Sequence, residues 1–83
     1  MIMLTTSVVD FKQGADDIVR AALAEYSDIE LYGINNNQAL IIFDTKEQKD
    51  VEKICERLYT YDEIISISHH SFYFEEPAAQ GDV

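Results

Sequence analysis

Basic residues are scarce in this chain of 83 residues, which has six Lys and Arg against sixteen Asp and Glu and a formal net charge of −10. Because the phosphates of nucleic acids require a basic protein surface, this balance argues against nucleic-acid binding. Solvated helix faces account for many of the acidic side chains, and a cationic partner is the functional alternative.

Cysteine and histidine are too few to support metal or redox chemistry. The single cysteine, Cys55, excludes an internal disulfide and suits a reducing compartment. No Cys-x-x-Cys or His-x-x-x-His spacing occurs, and His69 and His70 are adjacent, so in a strand they point to opposite faces. We therefore expect no metal site and no cofactor.

Glycine is equally scarce, which removes another class of site. With three glycines far apart in the sequence, no Gly-rich loop exists to hold a phosphate group. No Ser/His/Asp constellation can be placed either, so we assign no catalytic residue.

Long apolar runs are absent. The longest, within Ala39–Asp44, is far below the roughly 20 residues that a membrane-spanning helix needs. The first nine residues have no basic segment of the kind that opens a secretory signal peptide. These absences predict a cytoplasmic protein without membrane insertion.

The apolar run itself indicates a strand at the middle of a sheet. Leu40 and Ile42 point to one face and Ile41 and Phe43 to the other, so apolar contacts are expected on both faces. Two helical patterns in the chain can cover one of these faces. What covers the other face is the functional question.

The remaining patterns place this strand third of four. Strands are predicted at Ile2–Val9, Ile29–Ile34 and Ile64–Phe74, and a helix over 16–26 carries apolar residues at Ile18, Val19, Ala22, Leu23 and Tyr26. A second helix, begun by a capping box at Thr45–Gln48, carries Val51, Ile54, Cys55 and Leu58 on its inner face. Asn35–Asn37 supplies the hairpin turn before the central strand.

The order βαββαβ predicts an α+β fold of the ferredoxin-like type. Right-handed crossovers and a hairpin give a four-stranded antiparallel sheet in the order 4-1-3-2, with two helices on one face. We assign residues 1–76 to this domain and residues 77–83 to a flexible tail beyond Pro77.

The uncovered face of the sheet is the predicted binding surface. Ile65 and Ile67 are expected to face the helices, which leaves the small and polar residues of the last strand on the open face, beside hydroxyl residues of the first strand and apolar residues of the third. Together they would form a shallow trough that can hold a helix, although antiparallel sheets also tolerate an open face without any ligand. The candidate residues are Thr5, Ser7, Ile41, Phe43, Ser66, Ser68 and His70.

Several of these segments resemble the NapD family over about residues 4 to 76. The resemblance lies in the strand opening Ser7–Val9, in Leu40–Asp44, in the helix that ends at Leu58, and in Ile64–Ser68 followed by a histidine. It implies the ferredoxin-like fold and a cytoplasmic assembly chaperone without enzymatic activity. The implied partner is the twin-arginine signal peptide of the catalytic subunit of the periplasmic nitrate reductase, a molybdoenzyme, whose export is delayed until the molybdenum cofactor is inserted. The family's Pro-Gly turns are replaced here by Ser27-Asp28 and Asp62-Glu63.

The residues agree with this function on independent grounds. A twin-arginine signal peptide is cationic at its start and apolar after it, and an acidic domain with an apolar trough complements both parts. We expect a monomer. A regulatory or dimerisation module that pairs through its open sheet face is the alternative, and a ferredoxin-like enzyme ranks third, since no Arg/Asn pair for a phosphate can be placed.

Overall fold

The computed structural model describes the backbone of residues 2–75 and the side chains of residues 3–70. Its elements follow the predicted order βαββαβ. They are β1 (Ile2–Phe11), α1 (Asp16–Ala24), β2 (Ile29–Asn35), β3 (Gln38–Thr45), α2 (Gln48–Leu58) and β4 (Ile64–Glu75). The tail proposed for 77–83 lies outside the described residues.

The four strands form one sheet in the order β2-β3-β1-β4, and all neighbouring pairs are antiparallel. This is the predicted order, and it makes the fold a ferredoxin-like α+β sandwich. β3 and β1 lie at the centre, while β2 and β4 form the two edges.

Two turns require backbone conformations that few residues adopt. Asn36 and Asn37, with φ angles of 53° and 63°, form the two-residue hairpin turn between β2 and β3. Both angles lie in the left-handed region, which asparagine tolerates better than most residues, and this confirms the predicted turn. Gly14, with φ of 85°, takes the same role in the turn before α1.

The two helices bury their predicted inner faces except at Ile18 and at Tyr26, which lies beyond the end of α1 and is half-buried, and α2 begins later than predicted. In α1 the residues Val19, Ala22 and Leu23 are buried, but Ile18 is 44% exposed and is not part of the core. α2 begins at Gln48, because Thr45 is still the last residue of β3. The capping interaction lies two residues later than predicted and joins the backbone N–H of Glu47 to Asp50 Oδ2 at 3.3 Å.

Both helices pack on the same face of the sheet, and the hydrophobic core lies between these layers. Cys55 belongs to it: burial raises the pKa of its thiol to about 11, so the group is an inert core residue, as predicted. Between residues 3 and 70 the core consists of Met3, Val9, Phe11, Ala15, Val19, Ala22, Leu23, Ala39, Ile41, Phe43, Val51, Ile54, Cys55, Leu58 and Ile64.

The predicted orientation of β1 is wrong. Thr5 and Ser7 are fully buried on the face that the helices cover, not exposed on the open face. The cause is the two-residue period of a strand, which sends every second side chain to the same side. Burying Met3, Val9 and Phe11 in the core carries the two hydroxyl residues between them inward as well.

The predicted orientation of β3 is wrong for the same reason. Ile41 and Phe43 pair with Ser7 and Thr5 and are fully buried under the helices. Leu40 and Ile42 therefore face the open side, where Leu40 is 41% exposed. Since both sets of β3 side chains are apolar, the sequence of this strand did not decide between its two faces.

β4 is correctly oriented except at one bulge. Phe11 pairs with Ile64 and Asp10 with Ser66, so Ile65 is an extra residue and is 59% exposed instead of facing the helices. Beyond the bulge the prediction holds, because Ile67 packs against the core.

Candidate functional site: the open sheet face

The face of the sheet that the helices leave uncovered can be followed in rows across the strands. The row nearest the β2–β3 turn is polar and consists of Asn35, Gln38, Asp10 and Ser66. The next row is apolar at its centre and consists of Gly33, Leu40, Val8 and Ser68. The third row contains Glu30, Ile42 and Thr6, and the fourth pairs Asp44 with Leu4.

The apolar row contains a hollow beside Gly33. Because Gly33 has no side chain, Leu40 of β3 has no side-chain neighbour at its partner position on β2. A depression of about 420 Å³ lies here, lined by residues of β1, β2, the hairpin turn and β3. Its lining residues are Val8, Tyr32, Gly33, Ile34, Asn35, Asn36, Gln38 and Leu40. The hollow can accept an apolar side chain.

The opposite end of the same face is acidic. A second depression, of about 410 Å³, includes Asp28, Glu30 and Asp44 in its lining together with Leu4 and Ile42. None of these three carboxylates makes a hydrogen bond or ion pair with another described side chain. Their charges are therefore available to a cationic ligand.

Tyr32 separates the two depressions and contributes to the lining of both. It occupies a bulge in β2, since Leu31 pairs with Ile41 and the next paired residue is Gly33, opposite Leu40. Its side chain is 61% exposed. An exposed aromatic ring between an apolar and an acidic hollow is well suited to contact a partner that spans both.

The sheet has no lysine or arginine. None of the four strands contains Lys or Arg, and all six basic residues belong to the helices or to the loops beside them. The basic residues are Lys12, Arg20, Lys46, Lys49, Lys53 and Arg57. The open face is consequently apolar and acidic, with no lysine or arginine among its residues to neutralise it.

Asp10, at the turn end of the open face, already accepts hydrogen bonds within the protein. Asp10 accepts hydrogen bonds from Gln38 Nε2 at 2.7 Å and from Ser66 Oγ at 2.9 Å. These bonds, that from Gln38 first, lower the pKa of Asp10 below its usual value, and His70 adds a smaller electrostatic contribution. The carboxylate of Asp10 thus keeps its charge but is hydrogen-bonded to residues of the two neighbouring strands, unlike the three carboxylates at the other end of the face.

The structure divides the seven predicted site residues between the two faces. Ser66 and Ser68 lie on the open face. His70 is exposed at a further bulge of β4, because His69 pairs with Ser7 and Ser71 with Thr6, which leaves His70 as an extra residue. The other four, in β1 and β3, lie beneath the helices. Sequence reasoning missed Val8, Leu40, Ile42, Tyr32 and Gly33, although the apolar run of β3 already contained the signal for Leu40 and Ile42.

A polar cluster lies on the other side of the sheet. Ser7 Oγ and His69 Nδ1 are 2.6 Å apart, and the His69 ring meets the Phe43 ring edge-on at a centroid distance of 6.2 Å. Ser7 is fully buried, so its hydroxyl is out of reach of a substrate, whereas His69 is exposed. Within the described residues, no three His, Cys, Asp or Glu side chains are placed to hold a metal ion. Neither described helix is long and apolar enough to cross a membrane.

Comparison with solved structures identifies the fold. The solution structure of the E. coli Tat proofreading chaperone NapD superposes with a TM-score of 0.75 at 13% sequence identity, covering 92% of this chain and 82% of NapD. The two proteins share a fold. A crystal structure of a hypothetical protein from Pyrococcus horikoshii is also similar, with a TM-score of 0.71 and 18% identity over 93% of this chain and 94% of that one. No family model and no curated protein sequence matches the chain.

The likeness to NapD is therefore one of architecture. The resemblance noted in the sequence and the superposition lead to the same protein by separate routes, and NapD is by its name a proofreading chaperone. At 13% identity the fold is what the two chains share. Any function for this chain must be argued from its own open face.

Proposed function

We propose that this protein is a cytoplasmic chaperone that binds a twin-arginine signal peptide on its open sheet face and has no enzymatic activity. The client is the catalytic subunit of the periplasmic nitrate reductase, and peptide binding delays its export until the molybdenum cofactor is inserted. The observation that carries this proposal is the composition of the open face, which is apolar at its centre, acidic at one end and without lysine or arginine.

Each part of such a peptide has a counterpart on this face. Its arginine pair is attracted by unpaired carboxylates, and its apolar segment gains free energy by covering Leu40 and Ile42. A peptide that adopts an amphipathic helix can approach the sheet closely only where the side chains beneath it are short. Gly33 and Ser68, at the two ends of the apolar row, meet this requirement.

The charge of the chain favours this partner over a second copy of itself. A dimer through the open face would bring together two acidic surfaces on molecules of net charge −10. A peptide with two arginines instead lowers the charge of the complex.

The test is a calorimetric titration of a synthetic twin-arginine signal peptide into wild type and into Ser68→Glu. Ser68 pairs with Val8 on the open face and is exposed, so the substitution leaves the fold intact but places a bulky charge in the apolar row. We expect unchanged circular dichroism and melting temperature and a loss of peptide affinity.

Two control variants isolate the cause. Ser68→Ala keeps the row small and is expected to bind like wild type. Gln48→Glu adds the same charge at an exposed position of α2, on the other side of the molecule, and is also expected to bind normally. Equal affinity of Ser68→Glu and wild type would contradict docking on the open face. A sedimentation coefficient that increases with protein concentration in the absence of peptide would favour the dimerisation module.

A further inference from the structure

The two hollows of the open face differ in chemistry and lie at opposite ends of β2. The acidic hollow includes residues 27–30 in its lining, and the apolar hollow includes residues 32–36. On the paired strand β3, the acidic hollow is lined by Ile42 and Asp44 and the apolar hollow by Gln38 and Leu40, four residues apart on average. With a rise of about 3.3 Å per residue, the centres of the two hollows are therefore separated by roughly 13 Å along the strands. A ligand that occupies both hollows must therefore lie lengthwise along the strand. Its two ends should differ in chemistry, with a cationic end at the acidic hollow and an apolar end at the other.

We infer that the signal peptide binds in one direction only, with its arginine pair at the acidic hollow and its apolar segment running along β2 toward the Gly33 hollow. This inference rests on the proposed function and adds the direction and the two subsites. Because the arginines precede the apolar segment in such peptides, the bound peptide runs parallel to β2 and antiparallel to β3.

Electrostatics opposes the reverse direction. If the peptide were turned around, its arginines would lie beside the turn end, where the rows of the open face hold one carboxylate, Asp10, against three at the acidic hollow. Its apolar segment would cover the unpaired carboxylates of Glu30 and Asp44 and remove them from water. Burying a charge without a partner costs far more than any apolar contact at that end returns.

The Gly33 hollow offers a variant that changes one subsite alone. A Cβ atom built on Gly33 would meet no atom within 4 Å, and the backbone angle there is not in the left-handed region. Gly33→Val is thus compatible with the strand, and its side chain projects into the hollow from an unobstructed Cβ. We expect about tenfold weaker peptide binding with unchanged folding, whereas Gly33→Ala, which fills less of the hollow, loses less.

Direction can be measured by contact quenching, because the chain contains no tryptophan. Ser27→Cys places a thiol at an exposed residue that borders the acidic hollow, and Asn35→Cys places one at an exposed residue that borders the apolar hollow. A bimane fluorophore on either thiol reports a tryptophan in the peptide. The native thiol of Cys55 is buried and has a pKa of about 11, so wild type serves as the unlabelled control.

Two peptides complete the experiment. The first carries tryptophan beside the arginine pair, and the second carries it about 11 residues later. In a helix these two tryptophan positions are about 16 Å apart. We expect the first to quench the label at residue 27 and the second to quench the label at residue 35. The reverse pattern, equal quenching at both positions, or binding without quenching would each overturn the inference. If unlabelled wild type does not bind the peptide by calorimetry, the proposed function itself fails.

Discussion

At the scale of single residues, Thr5 is the position where the core departs furthest from an apolar interior. Its side chain is fully buried, and its hydroxyl oxygen has no hydrogen-bond partner among the residues that the structure describes. A buried hydroxyl without a partner has lost its bonds to water and gained none in return. The position is a consequence of strand periodicity, because its neighbours two residues away are Met3 and Ser7, which are also buried.

Thr5→Val is therefore expected to stabilise the protein. The substitution replaces the unpaired hydroxyl with a methyl group of similar size, and we expect a gain of about 1 kcal/mol in the free energy of unfolding. Denaturant unfolding of both proteins measures the difference. A loss of stability would show that the hydroxyl has a partner in solution.

Asp10 provides a second test at this scale. Its pKa is lowered chiefly by the hydrogen bond from Gln38 and next by that from Ser66, so Gln38→Ala should raise it more than Ser66→Ala does. A carboxyl titration followed by carbon NMR measures both shifts, and an unchanged pKa in Gln38→Ala would contradict the bond.

The sign of the stability effect follows from the direction of this shift. A carboxyl whose pKa is lowered by folding stabilises the folded state above its unfolded value of 3.8, and this contribution is lost as the pH falls through the folded value. The loss of stability on acidification should accordingly be smaller in Gln38→Ala than in wild type.

At the scale of elements, the chain order and the helix faces were predictable because several residues report each of them. The inner face of α2, with Val51, Ile54, Cys55 and Leu58, repeats over two turns and is buried as predicted. The Asn-rich turn and the strand order were predictable from turn chemistry and the handedness of crossovers.

Which way β1 and β3 face was not predictable from local pattern. Both alternating sets of β3 are apolar, and in β1 the hydroxyls of Thr5 and Ser7 favoured the wrong side. The burial of Met3, Val9 and Phe11 fixes the orientation of β1, and pairing with β1 then fixes that of β3. A bulge at Ile65 complicates the count along β4. Bulges change which face a residue occupies without leaving a clear sequence mark.

Leu58→Ala tests the packing of α2. Leu58 is fully buried at the end of the helix, and removing its side chain leaves a cavity that is expected to cost roughly 2–5 kcal/mol. In a domain this small such a loss can unfold the protein. A denaturation midpoint indistinguishable from that of wild type would mean that the inner face of α2 is misassigned.

At the scale of the whole molecule, charge is distributed by layer. Four of the six basic residues, Lys46, Lys49, Lys53 and Arg57, lie on α2 or just before it, while the sheet has none. The helices and the loops before them therefore hold all the positive charge of Lys and Arg. The nearest of these bases to the acidic end is Lys46, which lines a depression with Asp28 and Asp44 beside the open face, and the open face itself contributes only acids. Such a separation steers a cationic peptide to one side of the protein.

Association with the signal peptide should therefore slow as salt is added. Between about 10 mM and 150 mM ionic strength the screening length falls from roughly 30 to 8 Å, so we expect the association rate to fall steeply and the dissociation rate to change less. Stopped-flow mixing measures both. A rate that is indifferent to salt would remove electrostatic steering from the account.

Two neutralising variants locate the charges responsible. Asp44→Asn, at the acidic hollow, should reduce the salt dependence of association. Glu56→Gln removes the same charge from an exposed position on α2 and should leave most of that dependence in place. Equal effects of the two would mean that net charge alone, without the layered distribution, accounts for the steering.

The most direct test of the account is methyl NMR of the protein titrated with a twin-arginine signal peptide. Adjacent residues on one strand report opposite faces: Val8 and Ile42 lie on the open face, while Val9 and Ile41 are fully buried beneath the helices. We predict that the methyl resonances of Val8, Leu40 and Ile42 shift or broaden on binding and that those of Val9 and Ile41 change little. Shifts concentrated in the methyl groups of α1 and α2, or no shift at peptide concentrations far above the protein's, would contradict binding on the open sheet face.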